Sequence, residues 1–183
     1  MAVVAGAGNL ELVELRQVRV ADLAPLLDEE TAEWLERLQW DFSPTAELVR
    51  RFTGMQTLAG FALTTGGVVA GYTYLVSDER KGLIGDLYLT RGRRTTDNVF
   101  HLLGAAVDTL LDKHLVERIE SQLLLFDLPG PRPMPRPEWL TVHPRLFMTI
   151  SAAQGAALPP GPAARKALVE NWSPRREAEA AQL

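Results

Sequence analysis

The chain has 183 residues, 46% of them hydrophobic and 23% charged, with a net charge of −4. That composition suits one globular domain, or one domain with an appended segment, and argues against a general nucleic-acid binder. The lack of cysteine excludes disulfides, thiolate metal sites and a cysteine nucleophile.

Histidines at 101, 114 and 143 are too scattered to suggest a metal site. No apolar run reaches the length of a membrane span, and the start lacks the basic flank and apolar core of a signal peptide. The expectation is a soluble cytoplasmic protein with no nucleic-acid or membrane partner.

Residues up to Asn9 read as a frayed leader, and Leu10 to Val20 as a first strand by alternation. Ala21 to Gln39 has the pattern of a helix, with Leu23, Leu26, Leu27, Ala32, Trp34, Leu35 and Leu38 inside and Pro25 in its first turns. Asp28, Glu29, Glu30, Glu33 and Glu36 read as its solvated face; the sharper alternative is attraction of a cationic amine. Trp40-Asp41-Phe42-Ser43-Pro44 breaks the pattern. Its aromatics are expected to anchor the turn in the core while Asp41 caps or solvates; amine binding between two aromatic faces is the alternative. A second helix is expected over Ala46 to Phe52. Thr57 to Thr65 and Val68 to Ser77 read as strands joined at Gly66-Gly67, a hairpin signal because primed turns need positive φ. Tyr72 and Tyr74 share one face of the second strand.

Leu83 to Leu89 is the central strand, with Asp86 its only charge. Thr90 to Thr96 forms a turn carrying Arg91, Arg93 and Arg94. A long helix follows, with apolar residues at Val99, Leu102, Leu103, Ala106, Val107, Leu110 and Leu111 and a cap from Thr95, Thr96 or Asp97. Strand, turn and helix start together make an anion site. The first helical N–H groups lack partners and carry the positive end of the helix dipole, and arginines fork onto phosphate oxygens. A diphosphate is the natural guest.

Arg118 to Phe126 reads as a buried strand. Asp127 to Pro144 is an extended excursion, since its many prolines cannot sit in a central strand or helix interior. Trp139 to Val142 and Leu146 to Ile150 are expected as a final hairpin around His143-Pro144-Arg145. Ala156 to Ala164 reads as linker, Arg165 to Asn171 as a short helix, and Ser173-Pro174 as the opening of another. The domain division is therefore 1–155 and 156–183, the second being linker and helix, and the start of a further domain if the native chain is longer or a segment that docks on a partner.

The order of these elements, with the Arg94 turn and the Leu102-Leu103 pair, resembles the acyl-CoA-binding core of the GNAT superfamily of N-acetyltransferases. The likeness covers about Glu11 to Phe126. Aligned on Leu102-Leu103, Arg94 takes the first position of the family's loop motif, and Asp97 and Val99 stand where it has glycines. The resemblance implies an α/β GNAT-like fold: a mixed central sheet with helices on both faces, its fourth and fifth strands splayed. It implies acetyl-CoA as cosubstrate. The diphosphate would lie on the amides from Thr95 through Thr96, Asp97 and Asn98 to Val99, ringed by Arg91, Arg93 and Arg94. Backbone groups of Leu87 to Leu89 would pair with the pantetheine arm and polarise the thioester. Proteins of this family often pair, so a homodimer is expected.

Acetyl transfer also needs a base for the amine and an acid for the thiolate. Asp86 is the preferred base ahead of Glu79, with an ion pair to a nearby arginine as its structural alternative. Proteins of the resembled family often take the acid from a tyrosine on a fourth helix, where this chain has its Pro-rich run, and no tyrosine follows Tyr88. Tyr88, two residues on from Asp86 and on the same face, is the acid candidate if that face meets the site. His101 reads as a surface or packing residue. Two functions stand. One is an N-acetyltransferase acting on a small-molecule or peptide amine; the other is a GNAT-fold binding or structural module without that activity.

Overall fold

The computed structural model describes residues 10–113, 115–127 and 133–157. The chain divides into two units, Met1–Phe147 and Met148–Leu183, and each is taken by itself. The leader and the helices expected beyond residue 157 lie outside the described residues.

In the first unit β1 (Leu10–Glu14) leads through a 3-10 turn to α1 (Val20–Leu38) and α2 (Ser43–Gly54). The hairpin β2 (Ala59–Thr65) and β3 (Val68–Asp78) comes next, then β4 (Lys81–Leu89), a 3-10 turn at Arg91–Arg93, α3 (Thr96–Leu111) and β5 (Arg118–Ser121). The strands lie in chain order in one sheet. The first three pairings are antiparallel, whereas β4 and β5 run parallel across the α3 connection. Gly66 and Gly67 take φ of 57° and 81°, as a primed hairpin turn requires.

Successive strand residues point to opposite faces, so the sheet separates two cores. One holds Leu23, Leu27 and Trp34 of α1 and Ala46 and Val49 of α2 against Ala62, Tyr72 and Tyr88. The other packs Leu102, Leu103, Ala106, Val107 and Leu110 of α3 on Leu63, Ile84, Leu87 and Leu89. The sheet is mixed, with helices on both faces, and the element order is the one expected.

A bulge interrupts the β3–β4 ladder. Tyr74 pairs with Asp86 and Leu75 with Ile84, leaving Gly85 unopposed. An added Cβ at Gly85 would meet the Tyr74 ring at 1.9 Å, so the bulge is built around a residue with no side chain. Its extra residue keeps Ile84 and Leu87 on the α3 face and turns Asp86 and Tyr88 toward α1.

Several expectations are corrected. The first strand ends at Glu14, because Leu15 and Val18 leave the pleat through the 3-10 turn to bury themselves in the α1 core. Ala32, Leu35 and Trp40 are exposed. Phe42 alone anchors the turn, stacking on Trp34 at 4.9 Å, while Asp41 accepts the Ser43 amide. The fifth strand stops at Ser121 instead of running to Phe126. No strand forms at Trp139–Val142 or Leu146–Ile150; both runs lack a backbone ladder, and Leu146 is 91% exposed. In the second unit the described helix is α4 (Ala152–Ala156), opened by a capping box between Ser151 and Gln154.

Candidate active site

The parallel pairing of β4 with β5 extends only from Lys81–Arg118 to Ile84–Ser121. Beyond it the chains part, and a cleft of about 250 Å³ opens at the start of α3. Leu87, Tyr88 and Leu89 form one wall and Leu125, Phe126 and Asp127 the other, with Arg94, Thr95, Thr96 and Val99 closing the end. Pockets that take drug-sized ligands measure roughly 300–1,000 Å³, so this cleft suits an extended arm better than a whole nucleotide.

Of the expected cosubstrate residues, Leu87, Leu89, Arg94, Thr95, Thr96 and Val99 converge on the cleft, whereas Arg91, Arg93, Asp97 and Asn98 do not line it. Thr95 caps α3, its hydroxyl accepting the Asn98 amide at 3.3 Å, and Asn98 Nδ2 donates to the Arg93 carbonyl at 2.7 Å. The loop is thereby shaped by its own polar side chains, without the glycines of the motif.

Two of the loop arginines are already engaged. Arg94 forks onto Glu33 at 2.7 and 2.8 Å, donates to the Leu89 carbonyl at 3.0 Å and lies 5.0 Å from the Tyr88 ring centroid. Arg91 reaches Glu33 and Glu36 with its guanidinium, and its backbone N–H donates to Glu29 at 2.8 Å. Arg93 forms no ion pair among the described residues and remains the guanidinium open to an anion.

Glu33 is the centre of this arrangement. It is 2% exposed and accepts from Arg94, Arg37, Arg91 and the Tyr88 hydroxyl. The Arg94 hydrogen bonds above all hold its carboxyl down at about 2, against the effect of burial. The expectation of a solvated acidic face therefore fails at Glu29, Glu30 and Glu33. Glu29, Glu33 and Glu36 follow helical spacing, and that stripe beside an arginine-rich turn is the signal that could have revealed the pairing.

Asp86 is 7% exposed and outside the cleft lining. Among the described residues no arginine reaches it; its Oδ1 accepts the Leu87 N–H at 2.7 Å and its carboxyl meets Glu30. Glu30 is fully buried, with Tyr72 donating at 2.8 Å and Trp34 Nε1 at 3.3 Å. Burial, then Asp86, pushes the Glu30 carboxyl well up, and burial raises Asp86. The expected rise at Asp86 is present, but its structural partner is a second carboxyl. Tyr88 shares the Asp86 face as expected, yet its hydroxyl donates to Glu33 at 2.9 Å. Burial, then Glu33, raises that phenol further, which opposes a role as proton donor in the cleft. Glu79 lies in the β3–β4 turn, at the other end of β4 from the cleft. His101 is exposed on α3.

No family model and no curated protein matches the chain. Solved structures similar to it include a GCN5-related N-acetyltransferase from Ralstonia eutropha, at 14% identity and TM-score 0.49, covering 62% of this chain and 83% of that one. A ribosomal-protein-alanine N-acetyltransferase from Brucella melitensis is 15% identical at TM-score 0.45, over 64% of this chain and 80% of its own. An N-acetyltransferase from Thermoplasma acidophilum, solved with coenzyme A, is 14% identical at TM-score 0.45, over 61% and 78%.

Proposed function

We propose that the chain is an acyltransferase of the GNAT kind, moving an acetyl group from acetyl-CoA to a small-molecule or peptide amine. The observation that supports this is the parting of β4 and β5 beside the α3 N-terminus. An acyl-pantetheine arm fits the cleft along Leu87–Leu89 as a further strand would. The diphosphate falls to Arg93 and to the Thr96 amide that opens α3, the Thr95 amide already donating to the Arg93 carbonyl at 2.9 Å. In the reaction the amine nitrogen attacks the thioester carbonyl, the C–S bond breaks, the nitrogen loses a proton and the thiolate gains one. The bound coenzyme supplies the activated acyl carbon. The chain's residues orient the arm and narrow the water around it.

A second reading has its own support. The Leu87 N–H already donates to Asp86, and the Leu89 carbonyl already accepts from Arg94. Those are groups the arm would need, and their engagement suits a scaffold or binding module.

Thermal unfolding with and without acetyl-CoA separates the two. A ligand that binds only the folded chain raises Tm by mass action. A rise in Tm with acetyl-CoA and slow acetylation of a panel of amines are expected. An unchanged Tm at about 1 mM coenzyme, well above ordinary affinities, would leave the scaffold reading standing.

A further inference from the structure

A run of charges joins the two walls of the cleft through α1. Glu33 Oε1 takes Arg94 Nη1, itself bonded to the Leu89 carbonyl of the β4-side wall through its guanidinium, at 2.7 Å and Arg37 Nη1 at 3.1 Å. Arg37 then donates through Nη2 to Asp127 Oδ1 at 3.0 Å, with Nη1 3.5 Å from the Leu125 carbonyl. We propose that Arg37 is the positioning residue of the cleft, setting how far its β5-side wall stands from β4. Its functional meaning rests on the acyl-CoA reading of the cleft.

The two ends of the run differ in kind. Glu33 is buried, so its bond to Arg94 is little weakened by salt. Asp127 is 70% exposed on its side chain, where ion pairs are weak and screened. Among the described residues the segment is also held by its apolar side chains: Leu125 is buried in the α1-face core with Leu124 packed against it, and Leu123 packs against the α3-face core. Past Ser121 no strand pairing holds this segment, and its local bond is Phe126 N–H to the Leu123 carbonyl at 3.2 Å. The β5-side wall is therefore pegged through Leu123 to Leu125 and steadied at Phe126 and Asp127 by a salt-sensitive tie, while the Arg94 end of the run is held by a buried pair. Releasing the tie widens the cleft at Phe126 and Asp127 and leaves the loop before α3 in place. Arg37 acts through these neighbours and touches no reacting atom.

Hydrogen exchange of the Phe126 amide in the full chain, without ligand, reads the opening of the segment that the tie steadies. Arg37→Met keeps the aliphatic stem and removes the charge. Exchange at Phe126 is expected to quicken several-fold in Arg37→Met, and in the unaltered chain at about 0.5 M NaCl, where screening reaches a few ångströms. The variant itself should ignore salt, and amides of β3 and α3 should keep their rates. Asp127→Ala, altering an exposed side chain, should reproduce the change with Tm unmoved, which separates it from general destabilisation. Unchanged exchange at Phe126 in both variants, or an equal rise across β3 and α3, overturns the proposal. Acetyl-CoA affinity is measured separately: failure to bind coenzyme sinks the acyl-transfer reading while the exchange result stands.

Discussion

The Asp86 carboxylate accepts the N–H of its own successor, Leu87, at 2.7 Å. A strand amide facing an unpaired gap would otherwise be left to water or a ligand. Asp86 supplies the missing acceptor from within β4, and its other contact, Glu30, keeps it turned toward α1. The strand residue that sequence marks as a catalytic base thus maintains the edge of the cleft.

The loop arginines should separate by role. Arg93→Ala is expected to weaken acetyl-CoA binding about tenfold, the loss of one charge-assisted bond, with little change in Tm. Arg94→Ala should instead lower stability by about 2–3 kcal/mol. That is less than the full penalty for breaking a buried pair, because Arg37, Arg91 and Tyr88 remain on Glu33. Calorimetric titration and thermal melts check both, and equal behaviour of the two variants contradicts the assignment.

Glu33 makes the fold acid-sensitive. Its folded carboxyl lies at about 2, below its ordinary 4.5. The unfolded chain therefore takes up the proton first as pH falls. The stabilisation is complete above about 4.5 and is lost toward pH 2, amounting to about 2 kcal/mol once the partial exposure of Arg37 and Arg91 is allowed for. Glu33→Gln should start less stable at neutral pH, and its curve should converge on the parent's in acid. Urea melts across that range are the measurement.

Glu30 has the opposite sign. Its carboxyl is raised in the folded state, so the native chain holds a proton that the unfolded chain releases above about 4.5. Stability from this group is present in acid and declines as pH rises toward the folded value. Glu30→Gln mimics the protonated acid and should raise Tm at pH 8 relative to the parent, with the difference vanishing near pH 4. A Tm gap that grows toward acid would contradict the buried proton.

Gly85→Ala tests the bulge. Its Cβ would fall 1.9 Å from the Tyr74 ring, and displacing that half-buried ring should cost about 1–3 kcal/mol. Trimming Tyr74 to Ala in the same chain should recover part of the loss. Additive destabilisation in the double variant would mean the two positions are independent.

Much of the frame is legible residue by residue. The Gly66-Gly67 hairpin, the Thr95 cap and the α3 stripe each follow from local backbone and side-chain preferences, which act over a few neighbouring positions. Over 133–144, the described part of the Pro-rich run, no helix or strand forms, for the same reason. The failures share a cause. Trp139–Val142 and Leu146–Ile150 have apolar side chains, but a strand exists only where another supplies its ladder. Arg118–Phe126 is continuous in pattern, yet its pairing ends at Ser121.

The site divides along the same line. Sequence placed a cluster of arginines beside a helix start, since both belong to one short segment. That Glu33, some sixty positions away, would claim Arg94 and Arg91 depended on packing α1 against β4. The pairing of Asp86 with Glu30 depended on it equally. Charge is written in the chain, but its partner is chosen by whichever opposite or protonated group the fold brings within about 3 Å in a poorly solvated interior.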